Sequence, residues 1–463
     1  MSENTPRDSR KLWIGFSAGL LALLLAVSFV PVLPAQGGQS TPDQSLALFE
    51  QVYRFIQRNY VDDVDPAVLI EGALQGMFDA LDDPHSAYLL PDQMRGLTDT
   101  TSGEFGGVGM YINKPVAREG AGQYIEVVSP IEDTPAFRAG LLAGDRIKEV
   151  EGQSTAELTT DQVVDLLRGR PGTEVTVTIL RGADIEFPVT LERAIIQIPT
   201  VKWDMIDRQI AFLRIIQFTP HTADRVREAL QDFRAAGYRS MILDLRSNPG
   251  GLLNGVVDVA DLFFDGGMVV ETRGRVAGEN QAFNARSGSI VPGDIEIVVL
   301  IDSGSASAAE ILAAALKDRD RALLMGTTTF GKGSVQQVRR IGDGGFRLTM
   351  SRYYTPAGIS IDRSGIAPDI EVAEPELSDE QQQAYAQIRR ENLLRDFLAD
   401  QPDPSAAAVS GFIADLRRRG LDPGDRLLRR LIRMEVNRIN NREEVYDLEF
   451  DTVLQRAVEH LRR

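Results

Sequence analysis

Three times between residues 209 and 318 a short run rich in β-branched and aliphatic residues gives way to a segment with helical spacing. "QIAFLRIIQF" leads into "TADRVREALQDFRAAG", "SMILDLR" into "LLNGVVDVADLFF", and "IEIVVLID" into "SAAEILAAALKD"; a fourth run, "ALLMGTT", follows. Alternation of this kind predicts a mostly parallel sheet joined by crossover helices. In such a sheet, functional loops gather at the carboxyl ends of the strands. Three loops follow strands in this way: "RSNPGG" at 246–251, "SGSAS" at 303–307 and "TTFGKG" at 328–333. Parallel strands bring all three to one edge.

The segments on either side have a different character. Arg7, Arg10 and Lys11 precede the uncharged stretch from Leu12 to Ala35, so residues 1–36 read as a signal peptide or a membrane anchor, with the rest of the chain outside the cytoplasm. Leu33 stands where cleavage after Ala35 calls for a small residue, which favours a retained anchor. Residues 42–103 carry two helical patterns and a turn-rich connection, "DDPHSAYLLPDQ". Residues 104–193 are short strand-like runs broken by turn signals and by one helical pattern, "TTDQVVDLLRG". Residues 194–375 hold the strand–helix repeat, and residues 376–463 are helical and rich in charge. The arginine run there reads as a solvated helix face or as a subunit contact.

Composition removes several chemistries. A net charge of −17 opposes a nucleic-acid surface, which needs clustered excess Lys and Arg. The chain has no cysteine and only His85, His221 and His460 as imidazoles, so thiol nucleophiles, a Ser-His-Asp triad and a His-rich metal site are all disfavoured. Ser307 and Glu310 form an S-x-x-E capping box at a strand-to-helix turn, where a serine can also act as a nucleophile. A serine needs a base, and the candidate is Lys332, between Gly331 and Gly333 on the neighbouring loop. To serve, its amine must be neutral, which burial favours over the ordinary pKa of ~10.4.

A second reading comes from the same residues. "GTTTFGKGS" nearly matches a phosphate loop, and "IVVLID" looks like the strand that ends in a magnesium-binding Asp. Gly333 supplies no hydroxyl for the metal, the following "VQQVRRIGDGGFRLTMSRYYT" alternates like strands, and the Asp-ended strand comes first. A P-loop NTPase is the weaker alternative.

"SPIEDTPAFRAGLLAGDRIKEVEG" resembles a PDZ domain, with Gly107, Val108, Gly109 and Met110 in the position of that family's carboxylate-binding loop. "GSASAAEILAAALKDRDRALLMGTTTFGKGSVQ", "YYTPAGISIDRSGIAPDIEV", "GALQGMFDALDDPHSAYL" and "LDLRSNPGG" are similar, in order, to the C-terminal processing peptidases, also called tail-specific proteases. The resemblance covers about residues 45–375.

The resemblance implies an α/β protease core with a mostly parallel sheet and crossover helices, an inserted β-rich PDZ domain, and helical N- and C-terminal regions. It makes Ser307 the nucleophile, Lys332 the general base and Gln336 the residue that orients the lysine. In a straight strand Lys332 and Gln336 lie ~13 Å apart, so Gly333 must bend the loop for them to touch. The backbone N–H groups of Gly250 and Ala308 become the oxyanion donors, and Arg168 couples PDZ occupancy to activity. Ala309 departs from the family's frequent serine, one residue past Ala308.

The expected protein is therefore a serine endopeptidase that captures the C-terminal tails of protein substrates and needs neither metal nor cofactor. Its expected location is the bacterial cell envelope, on the periplasmic side of the inner membrane. An adaptor protein, a homo-oligomer through the helical terminal regions, and the membrane through the N-terminal segment are its further expected partners. The competing class without enzyme activity is an inactive PDZ scaffold.

Overall fold

The computed structural model describes residues 41–114, 124–131, 134–182, 184–399, 401–440, 442 and 444–463. The leader or anchor expected over 1–36 lies outside them. The chain divides into two units, Met1–Gly76 and Met77–Arg463. In the first, the Pro42–Asn59 helix starts at a reciprocal cap: Gln44 N–H donates to Thr41 Oγ1 at 3.4 Å and Thr41 N–H to Gln44 Oε1 at 3.1 Å.

The second unit is built on a six-stranded sheet. Its strand order is Val201–Met205, Ile210–Ile215, Ser240–Asp244, Glu296–Ile301, Leu323–Gly326 and Ile370–Glu371. Only the first pairing is antiparallel; the others run parallel. Alternate residues face opposite layers, as the period of a strand requires. Ala211, Leu213, Met241, Leu243, Val299 and Ile301 join a core with the Thr222–Ala236, Leu253–Ala260 and Ala308–Asp318 helices. Phe212, Ile242, Val298 and Leu300 pack instead on Val453, Leu454, Ala457 and Val458 of the Thr452–Leu461 helix. The end of the chain thus covers the back of the sheet. Helices from Asp379 to Ile439 enclose a separate cluster of Ile388, Leu398, Ile413, Leu416, Leu428 and Ile432.

The expectation of a mostly parallel core needs correction. A second sheet of the protease region joins Ala87–Leu89, Gly344–Tyr354, Gly267–Gly274 and Gln281–Ala285, with Ser334–Ile341 also on Gly344–Tyr354, and every pairing in it is antiparallel. The sheets of the chain are mainly antiparallel. The reason is connection length: Ser334–Ile341 returns through a tight turn at Gly342–Asp343, which leaves no room for the long crossover that parallel strands require.

The inserted module is an antiparallel sheet of Met110–Asn113, Ile125–Pro130, Arg146–Val150, Glu174–Arg181 and Ile185–Glu192. Val108, Ile125, Val127, Ile147, Val163, Leu167 and Val177 form its own core with the Thr160–Leu167 helix. The strands that enter and leave it, Glu104–Gly107 and Ala194–Gln197, pair with each other. The insertion is therefore closed off at its neck.

Candidate active site

Ser307 ends a turn that leaves the Glu296–Ile301 strand and starts the Ala308–Asp318 helix. Ser305 Oγ donates to Leu245 O at 2.9 Å, Ser247 N–H to Asp302 Oδ1 at 2.8 Å and Ala306 N–H to Asn248 O at 2.9 Å. These bonds tie the "SGSAS" loop to "RSNPGG". Arg246 in turn anchors "RSNPGG" by bridging Asp244 (2.8 Å) to Asp451 (2.6 Å), the cap of the last helix. Burial opposes charge at Asp451, but Arg246 holds its carboxyl below the usual range.

The turn leaves Ser307 at φ 55° and ψ −115°, a positive φ for a residue with a side chain. Such strain costs on the order of 1–3 kcal/mol and persists where the surroundings impose it. A serine lifted off the end of a strand in this way is set up for attack. Only part of the expected capping box serves the helix start: Ser307 N–H donates to Glu310 Oε2 at 2.8 Å, while the hydroxyl makes no cap hydrogen bond.

Glu310 does more than cap. It is fully buried and its carboxylate accepts four hydrogen bonds. Oε1 takes Thr329 Oγ1–H at 2.6 Å and Gly331 N–H at 2.7 Å; Oε2 takes the N–H groups of Ser307 and Lys332, both at 2.8 Å. One carboxylate oxygen therefore holds the backbones of the serine and the lysine together. Phe330 N–H adds a bond to Ser305 O at 3.0 Å. Gly333 is required at its position, because a Cβ there would lie 2.2 Å from Asp362 N.

Burial pulls Lys332 below the ordinary lysine range, the positive charge of Arg347 pushes the same way, and Glu310 opposes them. Tyr353, 5% exposed, lies against Ser307. Burial pushes its phenol up to about 12, with the Ser307 hydrogen bond working against that rise. Tyr353 therefore stays protonated as a neutral donor. Among the described residues, no cluster of three or more His, Asp or Glu side chains is arranged to hold a metal ion.

Two expected partners hydrogen-bond to other groups. Gly250 is in place beside the nucleophile: a Cβ on it would lie 2.8 Å from Ser307 Cβ and 2.9 Å from Ala308 N. Its N–H, however, donates to Asn248 Oδ1 at 2.8 Å in an Asx-type turn, so in this conformation that donor is engaged. Asn248 is fully buried and donates through Nδ2 to Ile215 O at 2.8 Å. Ala308 is the first residue of its helix, so its N–H has no acceptor within the helix.

Gln336 is not on Lys332. Its Nε2 donates to Ser334 Oγ at 2.8 Å and to Thr349 Oγ1 at 3.3 Å, beside a bulge at Val335/Gln336. Thr349 is fixed by its N–H donating to Ser86 Oγ at 3.0 Å, and Ser86 by Asp83 at 2.5 Å. The "DDPH" turn thus supports the strand that holds Gln336.

In the inserted module, Phe105, Gly107, Val108, Gly109, Met110, Ile112 and Leu167 line an apolar groove of about 290 Å³. Gly109, at φ 79°, packs under Thr134, whose Oγ1 donates to Gly109 O at 2.8 Å. Arg168, at the end of the Thr160–Leu167 helix, also lines the groove, pairs with Asp99 and lies 5.0 Å over the Phe105 ring.

Tyr353, Asn248 and the second role of Glu310 escaped the sequence reading. The S-x-x-E spacing pointed to a cap, but no local pattern says that the same carboxylate reaches a residue 22 positions on.

Family models match the chain as peptidase family S41 over residues 209–372, as the activating protease CtpB N-terminal domain over 32–92, and as a PDZ domain over 126–181. A carboxy-terminal-processing protease of Bartonella bacilliformis is 40% identical over 368 residues, 78% of this chain and 82% of that protein. The carboxy-terminal processing protease CtpA of Bacillus subtilis is 33% identical over 356 residues, 77% and 75% of the two. Among solved structures, a photosystem II D1 C-terminal processing protease is 28% identical, with a TM-score of 0.42, over 72% of this chain and 94% of that one.

Proposed function

This chain belongs to peptidase family S41 and is a serine-type, carboxy-terminal processing protease with a PDZ domain, and we propose that its chemistry runs through a Ser307/Lys332 dyad. The neutral Lys332 amine takes the Ser307 proton as Oγ attacks the scissile carbonyl. The resulting ammonium gives that proton to the leaving amine, and water then releases the acyl group. The observation that carries this reading is the single Glu310 oxygen accepting from both Ser307 and Lys332 N–H. Burial of the lysine supports it, since a protonated amine cannot act as the base.

The Ala308 N–H serves as one oxyanion donor. Gly250 N–H becomes the second when Asn248 Oδ1 releases it, and Gln336 reaches Lys332 when it leaves Ser334 and Thr349. Each donor of this kind is worth about 2.7–4 kcal/mol in the transition state.

The substrate is a protein whose apolar C-terminal tail lies in the groove beside Gly107, Val108, Gly109 and Met110. The tail's carboxylate competes with Asp99 for Arg168, which carries groove occupancy to the neck of the insertion. The enzyme works on the periplasmic side of a bacterial inner membrane, attached or released through residues 1–36, with helical ends available for subunit or adaptor contacts. Among the described residues no helix is long and apolar enough to cross a membrane.

The test compares purified wild type with Ser307→Ala and Lys332→Ala on an unfolded protein ending in apolar residues. Loss of cleavage in both variants is expected; equal cleavage by all three proteins overturns the dyad.

A further inference from the structure

Exposure alternates along the loop that carries Lys332. Thr329 and Gly331 are buried, Thr328 and Phe330 are exposed, and Lys332 is half-buried. The inner side is fixed by hydrogen bonds. Glu310 Oε1 accepts from Thr329 Oγ1 at 2.6 Å and from Gly331 N–H at 2.7 Å. Ile366 N–H donates to Thr329 Oγ1 at 2.7 Å, and Thr329 N–H donates to Ile366 O at 3.1 Å. Phe330 itself is tied to the other catalytic loop, its N–H donating to Ser305 O at 3.0 Å, two residues before Ser307.

The backbone of Phe330 is therefore pinned between the loops of the serine and the lysine, while its side chain is 62% exposed. Among the described residues 194–375, every other aromatic side chain is buried or half-buried. A lone surface phenylalanine would need no explanation elsewhere. Here it occupies a rigid position two residues from the base, and the exposed ring contributes little to the core. A fixed aromatic side chain with open apolar surface is the kind of group that anchors a ligand by being buried on binding.

We propose that Phe330 is a specificity-determining residue, whose ring covers an apolar side chain of the substrate next to the scissile bond. The proposal rests on the reading of Ser307 and Lys332 as the reacting pair. The two side chains that flank a peptide bond stand on Cα atoms ~3.8 Å apart, so a bond held at Ser307 brings both to the loops around it. The groove of the inserted module then selects the tail, and Phe330 selects the bond to be cut. Covering the equivalent of about two methylene groups corresponds to roughly a tenfold preference for a leucine over a serine at that position.

The experiment measures kcat/KM for the full chain on two sets of unstructured peptides that share one apolar C-terminal tail. One set carries Leu or Ser just before the scissile bond, the other Leu or Ser just after it, with the cleaved bond verified by mass spectrometry. Wild type, Phe330→Ala, Phe330→Leu and Ser307→Ala are compared. Wild type should prefer leucine about tenfold in one of the sets. Phe330→Ala should lose that preference by cleaving the leucine peptide about tenfold less well while cleaving the serine peptide as wild type does. Phe330→Leu, which keeps an apolar side chain, should restore most of it. Labelling of Ser307 by a small alkyl fluorophosphonate, which has no flanking side chain to cover, should be unchanged in Phe330→Ala. A Leu-to-Ser ratio that is flat in wild type or unchanged in Phe330→Ala overturns the proposal, and so does a parallel fall in both peptides and in labelling, which marks a structural role. Undiminished cleavage by Ser307→Ala overturns the reacting pair instead, and the two failures are distinct.

Discussion

Replacing Glu310 by glutamine isolates the bond pattern that joins the two catalytic loops. The carboxylate accepts four donors, and a glutamine carbonyl oxygen can accept only two of them. The best compromise puts the new NH2 toward Thr329, whose hydroxyl can turn to accept, and leaves the carbonyl on Ser307 and Lys332. Gly331 N–H is then buried without a partner, at about 1–3 kcal/mol. The bonds from Ser307 and Lys332 change from charge-assisted to neutral, at about 1 kcal/mol each. Relief of a buried charge offsets part of this, for a net loss of about 2–4 kcal/mol.

Glu310→Ala abandons all four donors, at about 4–12 kcal/mol, which approaches the whole stability of a domain. Urea unfolding followed by Trp203 fluorescence measures the first quantity, because Trp203 sits on the first strand of the core sheet. The rate at which a fluorophosphonate labels Ser307 measures whether the turn is still set, and a drop of at least tenfold is expected for Glu310→Gln. Wild-type stability and labelling in that variant would refute the bridging role of the carboxylate.

Gly333→Ala should abolish cleavage while leaving the tail-binding groove intact, since its Cβ must displace the Asp362 backbone 2.2 Å away; retained peptide binding with lost turnover is the signature, and normal turnover contradicts the close approach. Asp99→Asn frees Arg168 from its ion pair and should tighten binding of a peptide bearing a free C-terminal carboxylate but not of its amide, as read by fluorescence anisotropy. Lys332 gives a pH dependence whose sign is fixed. The folded state holds this amine below its ordinary 10.5, so between the two values the unfolded chain binds more protons. Stability of wild type relative to Lys332→Met should therefore rise as pH climbs through that window, and a falling difference in urea midpoints contradicts a desolvated lysine.

Much of the fold was legible because it is written in short windows. The strand–helix repeats, the Gly-rich groove loop and the "TTFGKG" loop each depend on periodicity or on a few adjacent residues. The parallel character was overestimated for the same reason: strand-like runs were visible after Lys332, but their antiparallel return through Gly342–Asp343 is a matter of pairing. The Thr452–Leu461 helix likewise has an ordinary amphipathic pattern, and nothing in it announces that it covers the back of the sheet.

The sequence by itself determined which chemistry was available, through the absence of cysteine, the scarcity of histidine, and a serine and a lysine on loops that follow strands. Tertiary structure decided which donor meets which acceptor. It engaged Gly250 N–H with Asn248, put Gln336 on Ser334 and Thr349, and set Tyr353 against Ser307. Hydrogen bonds form over about 3 Å and are directional, so residues distant in the chain can share one only after packing has fixed both backbones. Glu310 is the sharpest instance: its identity and helix position are local facts, but its bond to Lys332 exists only where two loops close over one buried carboxylate.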